Sequence, residues 1–292
     1  MSLANQFPDF VRAQVPLAPL TTLGVGGPAE FLAQPRSVME LTALLQAAAE
    51  RQSPVRILGI GSNVLIADEG VSGVIVRLCE PDFTRVEVEP PRVRAGSGTL
   101  LMTLIRESAS RGLAGLETLV GITATVGGAL RVNAGDRSGE IGQYARRVLV
   151  LDRQFQAVWR EHDELKFGEK SSNLDDPVIL SAEFELDTDS REAIVKRLRK
   201  AWILRQSRQP YLHESSARLF RDPKGMTATA VIDRAGLTQT KVGAARLSER
   251  NPNYVVTSTG ATARDVLRLI DLVRSKVRES SGIELELDLQ IW

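Results

Sequence analysis

A single cysteine, Cys79, leaves this 292-residue chain without any internal disulfide, and two histidines, His162 and His213, are too few for a usual zinc site. Charge of one sign is missing as well. Lys and Arg number 37 against 36 Asp and Glu, for a net charge of +1, so no overall field recruits nucleic acid or an anionic membrane. Any partner must be recognised locally. No apolar run reaches membrane-spanning length, and residues 1–10, which include Pro8 and Asp9, lack a basic segment followed by an apolar stretch. A reducing cytoplasm fits these absences, and neither export nor insertion is expected. Cys79 is expected to pack in the core, and the three tryptophans, Trp159, Trp202 and Trp292, need no functional explanation.

What is present is 43% apolar and 25% charged residues over a length that allows two or three modest domains, or one large one, with ample core. Two glycine-bearing turns stand out. The first is Gly59-Ile60-Gly61-Ser62-Asn63-Val64-Leu65; the second is Gly121-Ile122-Thr123-Ala124-Thr125-Val126-Gly127-Gly128, followed by Asn133-Ala134-Gly135. Without a Cβ, the backbone there can take positive φ and present successive N–H groups to an anionic ligand such as a pyrophosphate. A lone pair of glycines reads more readily as a tight turn after a buried strand. Two such segments in one chain favour the ligand.

Along the chain, Val15–Leu23 reads as extended, residues 24–28 as a turn and Ala29–Ala33 as a strand. Ser37 is placed to cap a helix over Val38–Arg51, in which Leu41, Leu44, Leu45 and Ala48 form an apolar face. Val55–Leu58 and Gly73–Leu78 read as strands, and Phe83–Ala95 as a strand pair broken at Pro90-Pro91. Thr99–Arg111 reads as a helix closed by Gly112. Further strands are expected at Val148–Leu151, Ala157–Trp159 and Val178–Leu186, and a helix from Ser190 to about Arg205. Val231 and Ile232 begin a helix or a strand that Gly236 stops. Asn253–Val256 reads as a strand, and Thr262 with Asp265 forms a capping box for a helix with the stripe Val266, Leu269, Ile270, Val273 and Val277. Gly282 ends that helix, and Ile283–Ile291 alternates as a closing strand. Residues alone thus give a two- or three-module α/β protein that binds a phosphate-bearing ligand.

Several landmarks occur in order: residues 22–27 (Thr-Leu-Gly-Val-Gly-Gly), the turns at 58–65 and 121–128, Gly115-Leu116-Glu117, Asn133-Ala134-Gly135, residues 205–210 (Arg-Gln-Ser-Arg-Gln-Pro), Phe220-Arg221-Asp222-Pro223 and Leu285-Glu286-Leu287-Asp288. In this order and spacing the chain resembles, over nearly its entire length, the UDP-N-acetylenolpyruvoylglucosamine reductase (MurB) family. The resemblance implies an α+β fold. An FAD-binding unit of the vanillyl-alcohol-oxidase (PCMH) type would have two subdomains, at 1–80 and 81–190, and a C-terminal α+β substrate domain with its linking helix would occupy 191–292. It implies FAD contacts at Gly59, Ile60, Gly61, Ser62, Asn63, Val64, Leu65, Gly121, Ile122, Thr125, Val126, Gly128 and Asn133. It further implies NADPH as hydride donor, a UDP-sugar as small-molecule substrate, and reduction of UDP-N-acetylglucosamine enolpyruvate to UDP-N-acetylmuramate for peptidoglycan synthesis. A cytoplasmic monomer with no metal, nucleic-acid or membrane partner is expected.

In that family an arginine and a glutamate hold the substrate carboxylate and a serine donates the proton. The corresponding positions here are Lys170 in Glu169-Lys170-Ser171-Ser172, Asp288 in the closing segment, and Arg218 in Ser216-Ala217-Arg218-Leu219. Thr123-Ala124 stands where the family has Pro-Gly. Lysine keeps the charge without the bidentate fork, and arginine cannot deliver a proton near neutral pH. Arg218 could serve as a substitute carboxylate clamp with Ser215 or Ser216 supplying the hydroxyl, or could fill a site that has lost its activity. Lys170 could be a solvated surface charge, and Asp288 an exposed polar position of an alternating strand. The reductase reading stands beside that of an impaired FAD-binding or scaffold protein.

Overall fold

The computed structural model describes residues 2–211 and 215–292; His213 lies outside them. Its α+β chain divides into two compact units, residues 1–13, 31–59 and 73–205, and residues 14–30, 60–72 and 206–292.

The first unit is built on a five-stranded antiparallel sheet in the order Ala157–Glu161, Ala145–Leu151, Val178–Glu185, Arg92–Gly96, Val86–Glu89. The central strand Val178–Glu185 is buried at every position but the last, as a strand covered on both faces must be. One core cluster joins this sheet to the helices Leu101–Ser110 and Val126–Arg131 through Val93, Leu104, Ile105, Val126, Leu130, Val148 and Phe184. A second cluster packs the helix Val38–Glu50 against Val74, Val76, Leu78, Leu151 and Leu180. Ser37 caps that helix as expected, its hydroxyl accepting from Glu40 N. Val55–Ile57 runs parallel to Val74–Val76, the two joined by a connection that contains no helix.

The second unit has a four-stranded antiparallel sheet in the order Ser215–Arg218, Tyr254–Thr257, Ala245–Leu247, Lys241–Val242. The helix Ala263–Ser281 packs its stripe Val266, Leu269, Ile270, Val273 and Val277 into the same core as Ala217, Ala245, Leu247 and Val255. Its start is the Thr262/Asp265 capping box, reinforced by Asp68, whose two carboxylate oxygens accept from Ala263 N (2.8 Å) and Arg264 N (3.0 Å). Gly282, at φ 71°, ends it in the left-handed conformation.

Several readings need correction or completion. Val15–Leu23 is not extended throughout: the strand is Val11–Pro16, and Ala18–Leu20 forms a 3-10 turn with proline at its second position. Phe83 belongs to a helical turn, Pro81–Thr84, that buries its ring rather than to the strand that follows. The segment at Val231 and Ile232 is a helix, Ala228–Arg234, capped by Thr227. The alternation of Ile283–Ile291 produces no continuous strand. Its backbone is shared between Leu219–Arg221, through Asp288 N to Leu219 O and Arg221 N to Glu286 O, and a parallel pairing of Gln290–Ile291 with Val64–Leu65. Cys79, expected in the core, is exposed, one residue past buried Leu78, and Gln34 Nε2 donates to its sulfur at 3.1 Å.

Candidate active site

In the first unit the turn glycines Gly59, Gly121 and Gly127 are among those with no free room for a Cβ. A Cβ at Gly59 would come within 2.8 Å of Thr125 Oγ1, one at Gly127 within 2.9 Å of Ser97 Cβ, and one at Gly121, at φ +81°, within 2.9 Å of Arg205 Cδ and 3.5 Å of Trp202 Cε3. Thr125 caps the helix Val126–Arg131, accepting from Gly128 N at 3.3 Å. Val126 is buried in the core beneath the turn, while Ile122 is half-buried and Gly128 exposed. Asn133, at φ 44°, is buried with its amide committed to its own unit: it donates to Glu140 Oε2 (2.7 Å) and Gly168 O (2.9 Å) and accepts from Gly142 N (3.0 Å).

Sequence reasoning missed a set of hydroxyls beside these turns. Ser97 Oγ, Thr99 Oγ1 and Ser181 Oγ are buried without a hydrogen-bond partner among the described residues, and such groups ordinarily have one. Ser97 touches the Gly127 position, and Val126 N and Gly127 N donate to Thr99 O and Ser97 O, both at 2.8 Å. Side-chain-free backbone beside orphaned hydroxyls matches what a dinucleotide cofactor rich in phosphate and hydroxyl oxygens asks of its site. The available signal was the small-residue run Gly96-Ser97-Gly98-Thr99.

The remainder of the first turn, Ile60–Leu65, belongs to the second unit. Gly61, at φ +65°, is pressed against the backbone at Leu20 and Thr21: a Cβ there would stand 2.7 Å from Leu20 O and from Thr21 Cα. Its carbonyl accepts from Thr22 N and Thr22 Oγ1. Asn63 ties the turn to the closing segment: its Nδ2 donates to Asp288 O at 3.1 Å and its carbonyl accepts from Gln290 N at 3.0 Å. Val64 and Leu65 are buried in the parallel pairing. Ile60 and Ser62 are half-buried.

Arg218 and Asp288 meet in the second unit. Arg218 Nε lies 3.5 Å from Asp288 Oδ2 and donates to Phe220 O at 3.2 Å, and Arg218 Nη2 lies 3.2 Å from Asp222 Oδ2. The Arg218 side chain keeps 28% exposure and that of Asp288 16%, so Asp288 is not the exposed strand position its alternation allowed. Arg218 faces Tyr254 across the ladder and Ser216 faces Val256. Strand alternation puts Ser216 on the face of Arg218, and Ser215, itself exposed at the start of the strand, on the face of buried Ala217. A loop shift bringing Ser215 to that face would require a one-residue slip of a fully paired strand.

Lys170 belongs to the first unit. It sits at φ 51° in the turn between Phe167–Gly168 and Ser171–Ser172, and its Nζ donates to Gly135 O at 2.6 Å. Beside it Arg205 Nη2 lies 2.9 Å from Asp136 Oδ2. Burial would raise the Asp136 carboxyl, but the Ser138 N–H and the cations Arg205 and Lys170 outweigh it and hold it below its ordinary range. Among the described residues no cluster of three metal-ligating side chains occurs.

Residues 29–153 match the family model for an FAD binding domain, which defines the class to which the glycine turns of the first unit belong. Residues 209–292 match the model for the C-terminal domain of UDP-N-acetylenolpyruvoylglucosamine reductase. The chain is 34% identical to the UDP-N-acetylenolpyruvoylglucosamine reductase of Rhodopirellula baltica, covering all of this chain and 97% of that protein, and 37% identical to that of Moorella thermoacetica with the same coverage. The crystal structure of UDP-N-acetylenolpyruvylglucosamine reductase from Thermus caldophilus superposes with a TM-score of 0.83 at 35% identity, covering 97% of this chain and all of that one. The chain belongs to the UDP-N-acetylenolpyruvoylglucosamine reductase family.

Proposed function

We propose that the chain is an FAD-dependent reductase that converts UDP-N-acetylglucosamine enolpyruvate to UDP-N-acetylmuramate at the expense of NADPH, acting in the cytoplasm as a monomer. The observation that carries this reading is the cradle of the first unit, where Gly59, Gly121 and Gly127 leave no room for side chains and buried hydroxyls lack partners, in a chain related to these reductases from end to end. Gly59, Ile60, Gly61, Ser62, Asn63, Val64, Leu65, Gly121, Ile122, Thr125, Val126, Gly128 and Asn133 line or brace the cofactor segments. FAD held by these segments would supply the hydride-transfer chemistry between NADPH and the enolpyruvyl double bond.

The protein's own part is to hold the substrate carboxylate and supply a proton. A guanidinium offers hydrogen-bond donors rather than a transferable proton, so Arg218 binds rather than protonates. Asp288 and the Phe220 carbonyl orient its guanidinium, leaving part of it exposed to a carboxylate. Ser216, on the same strand face, is the hydroxyl available as proton donor. Lys170 supplies a further positive charge beside Gly135.

A second reading has its own observation: Arg218 already faces two carboxylates, Asp288 and Asp222, so an FAD-binding protein that has lost the reduction is its alternative. Purified protein should show flavin absorbance and oxidise NADPH only when the enolpyruvyl substrate is supplied. Flavin without substrate-dependent NADPH oxidation selects the second reading, and a colourless protein overturns both.

A further inference from the structure

The helix Arg191–Gln206 of the first unit carries a surface that the reductase reading leaves unused. In 16 residues it holds six basic side chains, Arg191, Lys196, Arg197, Arg199, Lys200 and Arg205, and one acidic one, Glu192. Only Ile194 is fully buried, with Leu198 packed partly beside it against Ala109 and Ala114. Two of the cations serve the fold: Arg197 pairs with Glu117 (2.6 Å) and Asp189 (2.7 Å), and Arg205 with Asp136. Around Lys196, Arg199 and Lys200, no carboxylate of the described residues lies within ion-pairing distance.

Those three cations surround an apolar apex. Ile203 follows Lys196 by seven residues, Arg199 by four and Lys200 by three, so all share one face, and Ile203 is 68% exposed. Val195 and Trp202, seven residues apart on the adjacent flank, are 40% and 37% exposed. A helix whose buried stripe is one residue wide gains little from packing, so its outward Ile203 and Val195 are not explained by the core. The chain as a whole has a net charge of only +1, so this is a local concentration of positive charge on an otherwise balanced molecule.

We propose that this helix docks the protein peripherally on an anionic lipid surface. Lys196, Arg199 and Lys200 would face the headgroups, with Ile203 and the edge of Trp202 entering the interface. A helix face about 24 Å long that sets cations around an exposed apolar apex suits an anionic lipid plane, which takes up both charge and apolar side chains. No helix among the described residues is long and apolar enough to cross a membrane, so the contact is one of lying on the surface.

The test is co-sedimentation of the full-length protein with vesicles of phosphatidylglycerol and phosphatidylcholine, against vesicles of phosphatidylcholine alone, at low and at about 0.5 M salt. Binding is expected only to the anionic vesicles, and it should fall away at high salt. The Lys196→Gln/Arg199→Gln/Lys200→Gln variant should bind roughly 100-fold more weakly, and Ile203→Ser should weaken binding while leaving the charge unchanged. Both changes lie on exposed positions, and an unchanged melting temperature confirms that the variants fold. The proposal is overturned by absence of binding to anionic vesicles at low salt or by binding that the triple variant retains. Binding to polyglutamate as tight as to vesicles and indifferent to Ile203→Ser also overturns it, since that assigns the face to an acidic protein.

Discussion

Arg218 Nε lies 3.5 Å from the carboxylate of Asp288. The backbone carbonyl of the same Asp288 accepts from Asn63 of the first glycine turn. If Arg218 clamps the substrate carboxylate, Arg218→Ala should raise KM by roughly 10- to 100-fold, the value of one charge-assisted contact, with a smaller change in kcat. An unchanged KM in steady-state kinetics contradicts that role.

Ser216 and Ser215 make a matched pair, since alternation places one on the Arg218 face and the other, exposed, on the opposite face. Ser216→Ala should slow substrate-driven reoxidation of the flavin at least tenfold, without slowing its reduction by NADPH. Ser215→Ala should leave both rates near wild type. Equal effects of the two substitutions in rapid-mixing experiments would remove Ser216 as proton donor.

The cradle makes a prediction about binding alone. Gly121→Ala forces a Cβ onto a backbone at φ +81° and to within 2.9 Å of Arg205 Cδ, at a cost of about 1–3 kcal/mol. The purified variant should carry less FAD than wild type and melt at lower temperature. Full flavin content measured by absorbance ratio would separate Gly121 from the cofactor site.

Asp136 gives a pH signature. Because its carboxyl is held below the ordinary value, it contributes stability above the unfolded pKa of about 4, and that contribution is lost as pH falls through the depressed folded value. Asp136→Asn should therefore have a lower urea midpoint than wild type at about pH 6, and the gap should close as pH falls below about 4. A gap independent of pH contradicts the assignment.

Much of the fold was legible because it obeys local rules. Ser37, Thr262 with Asp265, and Gly282 mark helix ends with hydrogen bonds reaching three or four residues, and the stripe from Val266 to Val277 records a single buried face. What escaped depends on partners distant in sequence. Asp68 completes the start of a helix nearly 200 residues away. The closing segment divides its backbone between Leu219–Arg221 and Val64–Leu65, although its alternation reads as one strand. At the site, the glycine turns announced themselves by composition. Ser97 and Thr99 did not, since a buried hydroxyl lacking a partner is visible only once the fold surrounds it. The substituted positions were read from order and spacing, but the pairing of Arg218 with Asp288 and Asp222 needed the fold.

Anaerobic rapid mixing of the flavin-loaded protein tests the reductase reading most directly. NADPH should bleach the flavin absorbance, and addition of UDP-N-acetylglucosamine enolpyruvate should restore it with formation of one UDP-N-acetylmuramate per flavin. Flavin that is reduced by NADPH and stays reduced in the presence of that substrate would contradict the reaction while leaving the cofactor site intact.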